Sequence, residues 1–400
     1  MPLFFKSNQL PNAPLAGRHR PSGLNRCAPP PELRLADYLA ASRAMLQQAH
    51  QQLGSANLEL VIAGNAPFEL KPALPDATFA GTNKPYRRGI VLTHGLTDSP
   101  YFMRALGEFF AAQGFVVMAI LLPGHGTQPG DLLKVHRDEW AKTLSFAVNC
   151  LAAETDELYL GGFSTGAALS IQHSLRDARI RGLFLFSPAL KITPLAALAQ
   201  FHRISSWLLP RSAWVDIQLD RDLYKYESLS KNAVAQTYAL TQSVQRQLQQ
   251  RPLRLPTFTA LSNDDATVNS AATLAVMARA THPNHHTVLY ATQPLKLAQK
   301  NIECIVMRDS HQHILSAAHT AIVLPDDDAH YGATGDYANC VHYFPHDASS
   351  YQACLKSAPS INRGEINAVN LHHGILKRLM TNPNFPALKI SLAKFIAQLD

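Results

Sequence analysis

Gly162-Phe163-Ser164-Thr165-Gly166 falls where the apolar run ELYLGG stops and the helical pattern ALSIQHSL begins. The backbone must therefore turn from a buried strand into a helix within a few residues. A turn that tight brings its flanking segments close together, and glycine two positions either side of the central residue leaves space that a Cβ would fill. The central serine then stands out at the strand's end with its hydroxyl presented, as a nucleophile requires. The alternative is an ordinary glycine-rich connection; the placement between a buried strand and a helix favours the first reading.

The surrounding pattern repeats that alternation. Apolar runs of strand length at 88–93, 115–122, 157–162, 181–187 and 255–261 are separated by stretches of helical period. Parallel strands covered by helices on both faces leave this signature. Ser99, Pro100 and Gly114 mark the cap, first turn and end of a helix over 100–113. A helix is also expected over 35–53, closed by Gly54, with two short strands at 57–62 and 66–70. The chain divides into a lead-in with an N-terminal helix (1–56), a first core part (57–190), an insertion (191–254), a second core part (255–324), an irregular insertion (325–374) and a closing helix (375–400). The first insertion is far longer than an ordinary connection. It carries nine Lys/Arg against four Asp/Glu, most of the chain's net charge of +7. Leu195, Leu198, Phe201, Ile204 and Trp207 or Leu208 give it one apolar helical face.

Composition removes several classes of function. With 46% hydrophobic and 16% charged residues, the chain of 400 residues has material for a large core and is not disordered. The positive excess contains no run of five or six like charges, so a nucleic-acid partner is not implied. Five cysteines without a CxxC pair predict free thiols, Cys340 and Cys354 included, and no thiolate zinc site. Lys6 and Asn8 interrupt the N-terminal apolar stretch before a signal-peptide core forms, and the longest apolar run, 115–123, is less than half the ~20 residues of a membrane-spanning helix. These features predict a soluble cytoplasmic protein.

Attack of a serine on a carbonyl builds negative charge on oxygen, which preorganised backbone N–H groups stabilise. One donor should be Thr165, directly after the serine. The other should come from the loop after the first parallel strand, RGIVLTHGLTDSP, where Leu96 is the natural donor. His94 in that loop and His125 in LLPGHGTQPGD read as residues that hold loops by hydrogen bonds rather than as bases.

With these residues in place the chain resembles a serine α/β-hydrolase of the monoacylglycerol-lipase, carboxylesterase and serine-aminopeptidase-like branch. HGL at 94–96, LPGHG at 122–126, GFSTG at 162–166 and DDATV at 264–268 carry the resemblance, which spans about 85–325. It implies an α/β fold with a mostly parallel sheet of about eight strands, an inserted cap at 191–254, and hydrolysis through an acyl-enzyme. It also implies the order nucleophile, acid, histidine. The acid should end the strand in LPTFTALSNDDATV; a valine three positions on selects Asp265, ahead of Val268, with Asp264 the alternative. For the base, SAAHTAIV has the form of a short strand ending in small residues beside a histidine, which selects His319. His311, His313 and a histidine of 325–374 remain the alternatives. His319 lies 54 residues after Asp265, longer than the family's usual spacing, so extra structure is expected around 291–313.

The reading is then hydrolysis of a small-molecule carboxylic ester, a monoacylglycerol or a short- or medium-chain acyl ester, by Ser164, His319 and Asp265 with Leu96 and Thr165 as the oxyanion donors. Peptidase or acyltransferase chemistry with the same residues, and a non-catalytic binding protein built on this fold, are the alternatives. Serine rather than aspartate at 164 argues against dehalogenase or epoxide hydrolase chemistry. No metal or organic cofactor is required, and PDDDAH at 325–330 reads as an exposed acidic turn rather than a metal site. The cap helix either packs over the acyl pocket or acts as a lid with transient lipid-surface contact. Tyr331, Tyr337 and Tyr343 with Gly332 and Gly335 should make an ordered rim at the pocket mouth.

Overall fold

Phe115–Ile120 and Thr257–Ser262 are buried at every position, which a strand tolerates only when both sheet faces are covered. The computed structural model describes residues 13–73, 84–192, 210–295, 299–356 and 360–399. Its strands are β1 (Phe68–Leu70), β2 (Tyr86–Thr93), β3 (Phe115–Ile120), β4 (Thr155–Phe163), β5 (Ile180–Phe186), β6 (Trp214–Asp216), β7 (Leu229–Ser230), β8 (Thr257–Ser262), β9 (His285–Ala291), β10 (Ile302–Val306), β11 (Asn362–Gly364) and β12 (Leu376–Arg378). Eight of them form one sheet in the order β1-β3-β2-β4-β5-β8-β9-β10. All neighbours run parallel except β1, which is antiparallel to β3. The fold is that of an α/β-hydrolase.

The helices are α1 (Leu35–Leu53), α2 (Leu58–Asn65), α3 (Arg104–Ala112), α4 (Arg137–Glu154), α5 (Thr165–Ser174), α6 (Lys231–Gln250), α7 (Ser270–Met277), α8 (Ala348–Leu355), α9 (Ala368–Leu371) and α10 (Phe385–Ile396). Strand residues alternate between two cores. Ile90, Leu92, Phe184 and Phe186 face α3 and α10 through Leu106, Phe110, Leu392 and Phe395. Val91, Leu183 and Leu185 face α4, α5 and α6 through Trp140, Leu169 and Val244. Each such side chain taken from water contributes roughly 1.5–3 kcal/mol before entropy is set against it. The chain steps from β2 outward to β3 and returns to β4 on the other side, so β2 and β4 flank a topological switch point, where ligands bind at the strands' C-terminal ends.

Several local expectations change. The expected strand at 57–62 is instead helical from Leu58 on, with Asn57 as its left-handed cap: Leu58, Val61 and Ile62 fall at i, i+3, i+4, and Ile62 packs with Leu46 of α1 and Leu121. The 100–113 helix starts as a 3-10 turn over Pro100–Met103, without a side-chain cap from Ser99. SAAHTAIV is a run of buried turns rather than a strand. Its carbonyls are satisfied by side chains, Ser262 Oγ on Ala317 at 2.7 Å and Ser187 Oγ on His319 at 3.1 Å, so the small residues report burial without a ladder partner. β10 is the added element within the long interval between acid and histidine.

α6 packs against α5 and α4, with Ala233, Leu240, Val244 and Leu248 in the core they share. The apolar face from Leu195 to Leu208 lies outside the described residues. Cys340 and Cys354 form a disulfide rather than two thiols. Cysteine count argued from compartment, whereas α8 packs against Phe344 and brings the two Cα atoms to 6.0 Å, within bridging range. Cys27, Cys150 and Cys304 are free thiols. Among the described residues no helix is long and apolar enough to cross a membrane.

Candidate active site

Ser164 sits between β4 and α5 at φ 53°, ψ −112°, a conformation L-residues seldom adopt. The two glycines of the turn are there for space. A Cβ at Gly162 would meet the Gly166 carbonyl carbon at 2.3 Å, and one at Gly166 would meet the Thr93 oxygen at 2.1 Å. The Ser164 N–H donates to the Phe186 carbonyl at 2.9 Å, and its own carbonyl accepts from Ala189 N–H at 3.1 Å, so β5 and the loop after it hold the turn.

Of the candidate histidines and acids, the structure brings His319 and Asp265 to the serine. His319 Nε2 lies 3.0 Å from Ser164 Oγ and its Nδ1 lies 2.6 Å from Asp265 Oδ2. The Asp265 side chain is fully buried and that of His319 nearly so. Burial alone would raise the Asp265 carboxyl, but attraction to His319, the hydrogen bond from it and the N–H groups of Val268 and Thr267 hold it below the usual carboxylate range. The other oxygen, Oδ1, accepts those N–H groups at 2.9 and 2.7 Å. An ionised carboxylate only accepts, so Nδ1 carries the proton and Nε2 is left to accept the serine's O–H. Asp264, one residue earlier, is half-buried; its N–H donates to Ser262 Oγ at 3.0 Å, and its buried Oδ2 meets no hydrogen-bond partner among the described residues, His319 included. His311 is exposed, and neither it nor His313 reaches the serine.

Leu96 and Thr165 line the same cavity as Ser164 and His319. The loop bearing Leu96 turns sharply, with Thr97 at φ 68° and Asp98 folded beneath Gly95, where a Cβ would meet Asp98 Oδ2 at 2.3 Å. Lys225 braces it from the first insertion, pairing with Asp98 and donating to Thr97 Oγ1 at 2.9 Å. His94 accepts from Leu122 N–H at 3.1 Å on Nε2 and so donates from Nδ1 to the Gly95 carbonyl at 2.8 Å; burial keeps its ring neutral. His125 is also buried, its ring pushed down to about 4, with Nδ1 on the Pro123 carbonyl at 3.1 Å. Both hold loops.

The cavity has a volume of about 330 Å³. Ile192, Val234 and Val268 make an apolar part of its wall, and Glu227, Tyr337 and Arg378 a polar part. A larger cavity of about 690 Å³, bordered by Leu15, Lys134 and Trp214, contains none of the candidate residues. Tyr337 donates to Glu227 Oε1 at 2.6 Å, and burial raises that carboxyl to about 7. Tyr331 is buried and donates to Asp222 Oδ1 at 2.7 Å; of the residues expected at the pocket mouth, Tyr337 lines the cavity, whereas Tyr331, Tyr343, Gly332 and Gly335 do not border it. Two of the three carboxylates of the PDDDAH turn are taken by protein groups, Asp328 accepting from Tyr101 at 3.0 Å and Asp326 from Thr381 Oγ1 at 2.8 Å, while Asp327 is exposed.

Sequence reading missed Glu365. Its carboxylate is fully buried, accepts the His319 backbone N–H at 2.9 Å and faces Arg378 at 3.1 Å. Neither residue sits in a recognisable motif.

A family profile described as serine aminopeptidase, S33, matches residues 84–293, just over half of the chain. A thermostable monoacylglycerol lipase from Bacillus sp. (strain H-257) is 29% identical over 109 residues, 27% of this chain and 44% of the relative, so the similarity spans less than half of that protein. Among solved structures, one reported under metagenome-derived lipolytic enzymes LipS and LipT overlays 56% of this chain and 87% of its own at a TM-score of 0.47 and 21% identity. A Paleococcus ferrophilus monoacylglycerol lipase overlays 56% and 88% at 0.42 and 18% identity. Because the profile covers more than half of the chain, with the His94–Leu96 loop, the Ser164 turn and Asp265 inside its range, the chain belongs to the serine aminopeptidase, S33 family of α/β-hydrolases.

Proposed function

We propose that this protein hydrolyses carboxylic esters of apolar acyl chains through an acyl-enzyme on Ser164. The observation that carries the reading is the hydrogen-bonded series Asp265–His319–Ser164 on the wall of a partly apolar cavity. His319 Nε2 takes the serine proton as Oγ attacks the ester carbonyl, since a neutral hydroxyl is too weak a nucleophile. The Leu96 and Thr165 N–H groups receive the oxyanion. The intermediate collapses by breaking the carbon–oxygen bond to the leaving group, which departs as an alcohol with the proton from His319. Water then attacks the acyl-enzyme, gives a proton to His319, and the second collapse releases the carboxylic acid and returns the proton to Ser164. Asp265 holds the imidazole tautomer and offsets the imidazolium charge throughout. No metal or organic cofactor takes part in these steps.

The apolar part of the wall suits an acyl chain, and the similarity to a monoacylglycerol lipase supports glycerol or a small alcohol as the leaving group. A binding protein on this fold has no need to keep a base and an acid in proton-transfer contact with a serine. The test is fluorophosphonate labelling with peptide mapping, alongside turnover of p-nitrophenyl butyrate, a monoacylglycerol and an aminoacyl p-nitroanilide. Ser164 should be the labelled residue, Ser164→Ala should lose both labelling and ester turnover while staying folded, and esters should outrun the anilide. Label on another serine, or faster anilide cleavage, overturns the reading.

A further inference from the structure

Three loops meet behind His319: the acid loop after β8, the histidine loop at 315–324, and the end of the second insertion. Glu365 is where they join. Its Oε2 accepts the backbone N–H of His319 at 2.9 Å and that of Ala266, the residue after Asp265, at 3.3 Å. Its Oε1 accepts the Ile366 N–H at 2.8 Å and faces the Arg378 guanidinium at 3.1 Å. Arg378 in turn donates to Thr267 Oγ1 at 2.9 Å, on the acid loop again. Behind the carboxylate, Ser316 Oγ accepts the Glu365 N–H at 3.1 Å and an Asn370 amide proton at 2.8 Å. The side chain is fully buried, a place a carboxylate occupies only when its charge and lone pairs are met.

We propose that Glu365 is a positioning residue that fixes the spacing of Asp265 and His319 by binding the backbones of both their loops with one oxygen, while Arg378 balances its charge. This rests on the reading of Ser164, His319 and Asp265 as the reacting residues. The histidine loop has no ladder of its own; side chains hold the backbone of His319 on both sides, Ser187 Oγ on its carbonyl at 3.1 Å and Glu365 on its N–H. An acceptor shared between the loops makes the 2.6 Å contact between imidazole and carboxylate a consequence of where Glu365 sits. A displacement of about 1 Å at reacting groups costs on the order of 10²-fold in rate, and lost outer partners of ligating or reacting side chains cost about 10–100-fold.

The test compares wild type, E365A, E365Q and E365L/R378L by kcat, KM, the rate of fluorophosphonate labelling at Ser164, and the low-field proton NMR signal of a histidine Nδ1–H bonded to a carboxylate. E365A should lower kcat and labelling rate together by about 30–100-fold with KM within about threefold, and weaken the low-field signal. E365Q, which keeps one oxygen, should fall between E365A and wild type. E365L/R378L, which removes both charges, should stay as slow as E365A. Wild-type labelling of E365A, recovery of wild-type kcat in E365L/R378L, or a slowed E365A with an unchanged low-field signal overturns the proposal. If E365A does not fold, E365Q decides, and a kcat within twofold of wild type rejects the role. Label on a serine other than Ser164 in the wild type would instead defeat the assignment of the reacting residues.

Discussion

Gly166→Ala probes the fit between the serine turn and the strand that carries the oxyanion loop. A Cβ there would lie 2.1 Å from the Thr93 oxygen and 2.6 Å from the His94 oxygen, where contacts below 3.0 Å are essentially never seen. One side must retreat by close to 1 Å. Thr93 is the last residue of β2, fully buried and in register with Ile120 of β3 and Gly162 of β4, so its carbonyl cannot swing aside alone. The His94 ring, bonded to Leu122 N–H and the Gly95 carbonyl, restrains the next residue. The variant therefore pushes the turn carrying Ser164 and the loop carrying Leu96 apart as two rigid pieces.

Overpacking of this kind costs typically 1–3 kcal/mol and occasionally more, against a total stability of about 5–15 kcal/mol, so Gly166→Ala should fold with a lower denaturation midpoint. The rate should suffer more. The proposed oxyanion donor moves away from the nucleophile by about the distance that costs ~10² in rate, and loss of one such donor is worth about 10²–10³. The assay is kcat/KM on p-nitrophenyl butyrate beside urea denaturation, with Gly17→Ala, where nothing lies within 4 Å of the new Cβ, as the control. A folded Gly166→Ala with kcat/KM within threefold of wild type would refute the argument that donor and nucleophile are spaced by this contact.

Asp265→Asn should lower kcat by about 10⁴ because the amide holds the wrong tautomer, while Asp264→Asn should stay within a few-fold of wild type; the reverse order would move the acid by one residue. Glu227 predicts a pH effect on stability. Its carboxyl is raised from 4.5 to about 7 by burial, so the folded state favours the protonated form; stability is greatest below pH 4.5 and is lost as pH rises through 7. Relative to Glu227→Gln, the wild type should lose up to about 3 kcal/mol over that interval in denaturation midpoints, and a pH-independent difference would show that the carboxyl is not displaced.

What could be read from sequence follows the range of the interactions that set each feature. Ser164 was legible because its geometry is made by five consecutive residues, and the sheet because strands buried on both faces are continuous apolar runs. Asp265 and His319 were picked out through the order and the neighbours that the family resemblance implies, a valine three residues after the acid and two small residues before the histidine, with Asp264, His311 and His313 left as alternatives by the residues alone. The helix at 58–65 was missed because eight residues give barely two turns in which to tell one period from another. The braces were out of reach for a different reason. Glu365 meets His319 across 46 positions and Lys225 meets Asp98 across 127, and nothing at either end marks a partner so distant. The disulfide was missed for another reason: its cysteines lie only 14 residues apart, and thiols were expected from an assumed reducing compartment rather than from their spacing.

The family profile ends at residue 293, before His319. Within it lie the donor loop, Ser164 and Asp265, the parts that any acyl transfer on this fold requires. The proposed base comes from chain beyond it, together with Thr320, Tyr337, Asn339, Val341 and Arg378 of the cavity wall. Around Tyr337 and Val341 the chain is held by Tyr337 on Glu227, Tyr331 on Asp222, His330 within 3.3 Å of Asp222 and 2.5 Å of Asp336, and the Cys340–Cys354 disulfide. The proposed reacting residues are thus divided between the matched segment and the chain beyond it. Most of the cavity wall lies within residues 84–293, the apolar Ile192, Val234 and Val268 among them, whereas Tyr337, Asn339, Val341 and Arg378 come from outside the match. If the apolar wall takes the acyl chain, acyl preference should respond to changes at 192, 234 and 268, and changes at 337–341 and 378 should act on the other half of the substrate; a series of esters varied in acyl and alcohol parts, read by kcat/KM, checks this, and an acyl preference that moves only with 337–341 and 378 would refute it.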